Sequence, residues 1–180
     1  MFEVDRITED GKKAIVGLLN EAMGTEYSHI VNYPRFIDHL INFDKMPEGS
    51  IPPSLEHLGK DSVRHLGETI KLIEELGGKP QWEIVIVARL PDPRYEISKQ
   101  MKKEELSLSL WRQAKSVAEQ SQVKGLGGIL WSIRALRGLL DEAVGRNDVI
   151  RILGEMAKDE EHHIMLLQDA ISALNIQTRE

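Results

Sequence analysis

The stretch LGEMAKDEEHHIMLL, residues 153–167, decides the fold. Leu153, Met156 and Leu167 sit on one face at alternating three- and four-residue steps, the spacing that turns a helical seam towards a bundle interior, and Ala170 and Leu174 continue it. Two positions of that same seam are Glu160 and His163. An acid and an imidazole one turn apart on a face that must be buried predict a helix with chemistry at its centre, running from about Asp148 to Leu174 with Asn147 placed to cap it.

Three other segments repeat the arrangement. The first, from about Thr8 to Phe43, carries Ile15, Leu19, Ala22, Glu26, His29, Tyr33, Phe36 and Leu40 on its seam. Pro34 interrupts it, and a proline inside a helix removes a backbone bond at a cost of about 3 kcal/mol, so a kink near Ile30 to Pro34 is predicted. The second, from about Pro53 to Leu76, reads Leu55, Leu58, Ser62, His65, Thr69, Leu72 and Leu76, with Asp61 beside the seam. It stops at Gly77-Gly78-Lys79-Pro80, glycine past the last turn and then proline. The third, from about Tyr95 to Gln122, reads Ile97, Met101, Glu104, Leu108 and Trp111, and Glu105 takes the place of Glu104 if the register slips.

These segments predict an all-α fold, a four-helix bundle. The connection from Gln81 to Pro93 contains Val85-Ile86-Val87, a possible short strand but better read as an extended crossover, which lets helix three start at the other end of the bundle. Ile129 to Val144, flanked by Gly125-Leu126-Gly127-Gly128 and Gly145, reads as an extra short helix before the last one. The glycines lack the preceding strand and spacing of a phosphate loop. With 180 residues the chain fits one domain, 1–180, carrying an insertion at about 123–146.

Composition narrows the function. The net charge of -6 gives no basic field to hold nucleic acid or an anionic membrane, and no apolar run approaches the roughly 20 residues of a membrane span. The first residues lack the apolar run of a signal peptide, which predicts a cytoplasmic protein. With no cysteine, disulfides and thiolate metal sites are excluded, so any metal is held by oxygen and nitrogen. Burying a lone carboxylate costs several kcal/mol, and carboxylates placed at similar depth in several helices need neutralising charge. Two divalent cations supply it, and mixed oxygen and nitrogen ligands suit iron or manganese.

The arrangement resembles the ferritin-like di-iron carboxylate proteins, in which two helices give one Glu each and the other two give Glu-x-x-His. Leu18 through Tyr27, with Tyr33 after it, is similar to the first helix of bacterioferritins; His65 through Pro80 to the end of the second; Glu104 with Trp111-Arg112-Gln113-Ala114 to the third; and Asp159-Glu160-Glu161-His162-His163-Ile164 to the fourth. The likeness covers roughly residues 10 to 122 and 147 to 174. It implies Glu26 and Glu104 as terminal ligands, Glu160 as a bridge, and His65 and His163 as nitrogen ligands of two iron ions, with manganese as the alternative. These five are then the catalytic residues of a ferroxidase that oxidises Fe(II) with dioxygen or hydrogen peroxide, for iron storage or oxidative-stress defence. A peroxide-removing enzyme like rubrerythrin or manganese catalase, and a bundle that has kept only a structural or binding role, stand as alternatives. A homo-oligomer is implied, with a dimer and a closed shell both open.

The chain departs from the family in three places. Ser62 stands where the second helix would give its Glu, so one bridging carboxylate is missing; Asp61 could substitute for it, and His29 could be an additional ligand. Val63 stands where bacterioferritins place the methionine that binds haem, so no haem is expected. The inserted helix lengthens the path from Glu104 to Glu160. Tyr33 and Trp111 are read first as core packing and second as hydrogen-bonding or redox groups beside the metals. His162 is expected in solvent, and His39 and His57 have no role assigned.

Overall fold

A computed structural model describes residues 7–43, 53–81, 93–121 and 145–177. Among them stand four helices, α1 (Glu9–Phe43), α2 (Pro53–Glu75), α3 (Pro93–Gln120) and α4 (Arg146–Gln177). The segment around Val85-Ile86-Val87, read as an extended crossover, and the expected short helix at Ile129 to Val144 fall outside the described residues. No described helix is long and apolar enough to cross a membrane.

Local chemistry sets the helix ends. Thr8 caps α1: its Oγ1 accepts from the Gly11 N–H at 3.1 Å, and its carbonyl accepts from Lys12 at 2.9 Å. The Thr8 N–H donates to the Ser121 carbonyl at 2.8 Å, tying the start of α1 to the end of α3. Prolines open α2 and α3 at the position where a missing N–H costs nothing. At the end of α2, Gly78 N–H reaches the Ile73 carbonyl at 2.8 Å and Gly77 N–H the Glu74 carbonyl at 2.9 Å, while Gly77 takes a φ of 79°. This is the paired closure that glycine permits.

Pro34 lies inside α1, which is helical on both sides of it. The proline is exposed while Tyr33 and Phe36 beside it are buried, so packing carries the helix across the lost bond. Asn147 is not the cap of α4. The helix begins at Arg146, with the Gly145 carbonyl accepting from Val149 at 3.1 Å, so Gly145 holds the cap position and Asn147 lies in the first turn.

The interior falls into two apolar clusters. One gathers Ile15, Leu19 and Met23 of α1, Leu72 and Ile73 of α2, Leu110, Trp111 and Ala114 of α3, and Val149, Leu153 and Met156 of α4. The other gathers Tyr33, Phe36, Leu55, Leu58, Ile97, Leu167 and Ala170. The first cluster thus takes the early parts of α1 and α4 and the late parts of α2 and α3, so α2 and α3 run parallel to each other and opposite to α1 and α4. The end of α2 and the start of α3 therefore lie at opposite ends of the bundle, the arrangement that the sequence predicts for these two helices. Helix α1 packs on α2 and α3, and α4 packs on α3 and α2, so every neighbouring pair is antiparallel.

Candidate metal centre

Between the two apolar clusters every helix turns a polar group inward. Glu26, His29, Ser62, His65, Glu104, Glu160 and His163 are all essentially inaccessible to solvent. Glu104 rather than Glu105 faces in, since Glu105 is exposed. Glu26, His65 and Glu160 bring one donor atom each within 4.8 Å of one another, and so do Glu104, Glu160 and His163. Glu160 belongs to both groups, one oxygen for each. Its Oε1 lies 3.1 Å from His65 Nδ1 and its Oε2 lies 3.3 Å from His163 Nδ1. Glu26 Oε2 is 3.8 Å from His65 Nδ1, and Glu104 Oε2 is 3.3 Å from His163 Nδ1.

The outer ring nitrogens have partners too, arranged reciprocally. His65 of α2 meets Asp159 of α4 at 3.2 Å, and His163 of α4 meets Asp61 of α2 at 3.3 Å, each through Nε2. Such carboxylates fix the tautomer and direction of a ligating imidazole. Asp61 belongs to neither donor group; it is half-exposed and meets His163 from the outer side. Arg64 holds Asp159 at 2.5 Å and Glu68 at 3.4 Å. Further in, Tyr33 donates its hydroxyl proton to Glu104 Oε1, and Trp111 Nε1 donates to Glu160 Oε1 at 3.4 Å. Both aromatics are thus core residues and hydrogen-bond donors to site carboxylates.

Mutual attraction sets the titration of the protein without metal. Burial alone would raise Glu26, but His29 and His65 outweigh it and hold its carboxyl well below the usual range. Burial likewise opposes ionisation of Glu104, which His29 and His163 nevertheless help hold down at about 2. Burial, together with the charges of Glu26 and Glu104, pushes Glu160 well up. Burial also disfavours charge on His65 and His163, yet the surrounding carboxylates raise them to about 10 and about 11. Tyr33 is raised by burial and by Glu104.

These residues fit a pair of metal ions. Both oxygens of Glu26, Oε2 of Glu160 and both nitrogens of His29 are buried without a hydrogen-bond partner. Buried polar atoms are normally satisfied, and a cluster of unsatisfied ones from two facing helices, α1 and α4, is one that a bound cation would complete. Two ions with Glu160 shared between them would do so with all-oxygen and nitrogen coordination.

Sequence reasoning missed two features here. Asp159 was overlooked, although Asp61-Ser62-x-x-His65 and Asp159-Glu160-x-x-His163 repeat one pattern and signal it. His39 has a partner after all: its Nδ1 lies 2.8 Å from Glu96 Oε2 in a buried pair between α1 and α3. His57 and His162 are exposed.

The sequence matches no family model and no curated protein. Solved structures do match. A ferritin-like, diiron-carboxylate protein from Bacillus anthracis is 19% identical over 89% of this chain and 97% of its own, with a TM-score of 0.65. The bacterioferritin of Desulfovibrio desulfuricans, whose diiron site is described in different catalytic states, is 18% identical over 93% of this chain and 83% of its own, with a TM-score of 0.60. That of Rhodobacter capsulatus, with a metal-free dinuclear site and haem iron, is 18% identical over 89% and 85%, with a TM-score of 0.52. The chain has the ferritin-like four-helix-bundle fold.

Proposed function

We propose that the chain binds two ferrous ions as substrate, one at Glu26, His65 and Glu160 and the other at Glu104, Glu160 and His163, and oxidises them with dioxygen or hydrogen peroxide. The observation that carries this reading is the sharing of Glu160 by two buried donor groups. A shared carboxylate keeps both ions in one enclosure, where a pair of ferrous ions supplies the two electrons that reduce hydrogen peroxide to two waters, or dioxygen to peroxide. The protein holds the ions, excludes bulk water and positions donors: Tyr33 at Glu104 and Trp111 at Glu160 steady the two carboxylates. Such a site serves iron storage or oxidative-stress defence, in a cytoplasmic homo-oligomer. Val63 carries no donor atom for haem, and we propose none there.

Anaerobic titration with ferrous ion, followed by mixing with dioxygen or peroxide, tests this reading. Two irons per chain, and an absorbance rise from ferric product that depends on Glu160, are expected. Fewer than one iron per chain with no oxidation would overturn it. Manganese retained through purification, with turnover of peroxide, would move the assignment to the peroxide-removing class.

A further inference from the structure

The helix-two carboxylate of the family pattern is absent, and its position is not refilled by an acid. Ser62 is fully buried and its Oγ has no hydrogen-bond partner. Asp61 is occupied with the outer nitrogen of His163. A nitrogen donor outside the two groups that also faces the centre, with no hydrogen bond to either ring nitrogen, is His29. It is fully buried, one turn after Glu26, in the same Glu-x-x-His relation that joins Glu160 to His163. Its Nδ1 stands between the two terminal carboxylates, 3.9 Å from Glu26 Oε2 and 3.5 Å from Glu104 Oε1, and neither ring nitrogen makes a hydrogen bond. The Tyr33 ring lies against it, centroids 5.4 Å apart.

We propose that His29 is a third imidazole ligand of the metal pair, making up for the carboxylate absent at Ser62, and that this exchange tilts the centre towards ferrous over manganous ions. The proposal rests on the di-metal reading above. The donor set becomes three carboxylates and three imidazoles. Carboxylate suits manganese and imidazole suits iron, so exchanging one for the other favours ferrous ion. It also leaves the set one negative charge short of four carboxylates. A trivalent product is then less fully compensated than the divalent substrate, which suits a site that passes its oxidised iron on.

The test uses the full chain loaded anaerobically with Co(II), whose paramagnetism shifts the exchangeable N–H protons of ligating imidazoles out of the ordinary proton spectrum. Three such resonances are expected in the native protein and two in His29→Gln. Competition between ferrous and manganous ions should show at least about a tenfold loss of ferrous affinity in His29→Gln, with manganous affinity changed less. Two cobalt ions per chain with only two imidazole resonances in the native protein would overturn the role of His29 and leave the di-metal reading standing. Failure of the native protein to take up cobalt or ferrous ion would overturn both. The native spectrum decides the ligand count even if the variant does not fold.

Discussion

Asp61 Oδ2 lies 3.3 Å from Nε2 of His163, the ring nitrogen turned away from the shared carboxylate. The two residues are on different helices, so this contact sets the rotation of α2 against α4 as well as the pose of the imidazole. Its counterpart between Asp159 and His65 does the same from the other side.

Removing these outer carboxylates should loosen the metals without emptying the site. Asp61→Asn and Asp159→Asn are each expected to weaken metal binding by about 10- to 100-fold, with the stoichiometry at saturation still two. Competition against a chelator of known affinity measures it. Unchanged affinity in both variants would mean that burial alone orients the imidazoles.

Glu160 is the one residue common to both donor groups, so its loss should be felt at both. Glu160→Ala is expected to bind fewer than one metal per chain, whereas Glu26→Ala should leave the group around Glu104 and His163 able to hold one. Metal analysis after gel filtration separates the cases. Two tightly held metals in Glu160→Ala would exclude it as the bridge.

In the metal-free protein at neutral pH, His65 and His163 carry protons because their pKa values are raised to about 10 and about 11, and Glu160 is raised as well. Ligation needs both imidazoles deprotonated, so metal uptake should release about two protons from them and tighten as pH rises. Calorimetric titration in buffers of different ionisation enthalpy counts them.

The same shifts fix the stability of the metal-free fold. A histidine raised above its unfolded value stabilises fully below about pH 6.5 and loses that contribution as pH climbs towards 10 and 11. Glu104, lowered to about 2, acts oppositely and loses its contribution as pH falls below about 4.5. The Tm in the presence of chelator should therefore fall from pH 7 to pH 10, and metal should suppress that fall. A flat profile would show that the imidazoles are not held charged.

Gly77 and Gly78 close α2 for different reasons and should respond differently. At Gly77, with its φ of 79°, alanine should cost about 1 kcal/mol through backbone strain alone. A Cβ at Gly78 would come within 2.6 Å of the Val16 side chain, so Gly78→Ala must also displace α1 packing and should lower Tm further. Both variants should bind metal as the native protein does, because the closure lies beyond the far apolar cluster.

What the sequence disclosed follows from what periodicity can carry. Glu26, His65, Glu104, Glu160 and His163 were legible because each interrupts an apolar seam, and a seam position is inward whatever the partner helix does. The parallel course of α2 and α3 was legible because Gly77 and Pro80 end one helix firmly and a long connection follows. Asp159 and the true partner of Asp61 were not, since both lie off the seam and their contacts depend on the relative height and rotation of α2 and α4. His39 and Glu96 are 57 positions apart, and only packing of α1 on α3 brings them together.

The division of the apolar interior into two clusters bears on how the bundle comes apart. Among the described residues, the two apolar clusters meet across the layer from Glu26 to Glu160 through polar contacts, Tyr33 of one donating to Glu104 and Trp111 of the other to Glu160. Without metal, each end can open on its own, and heat should melt the chain over a broad range with a calorimetric enthalpy larger than the van't Hoff value. With metal the middle becomes the clamp, and amide hydrogens one turn either side of His65 and Glu160 should exchange last. The ions would then decide whether the molecule melts as one cooperative unit or as two.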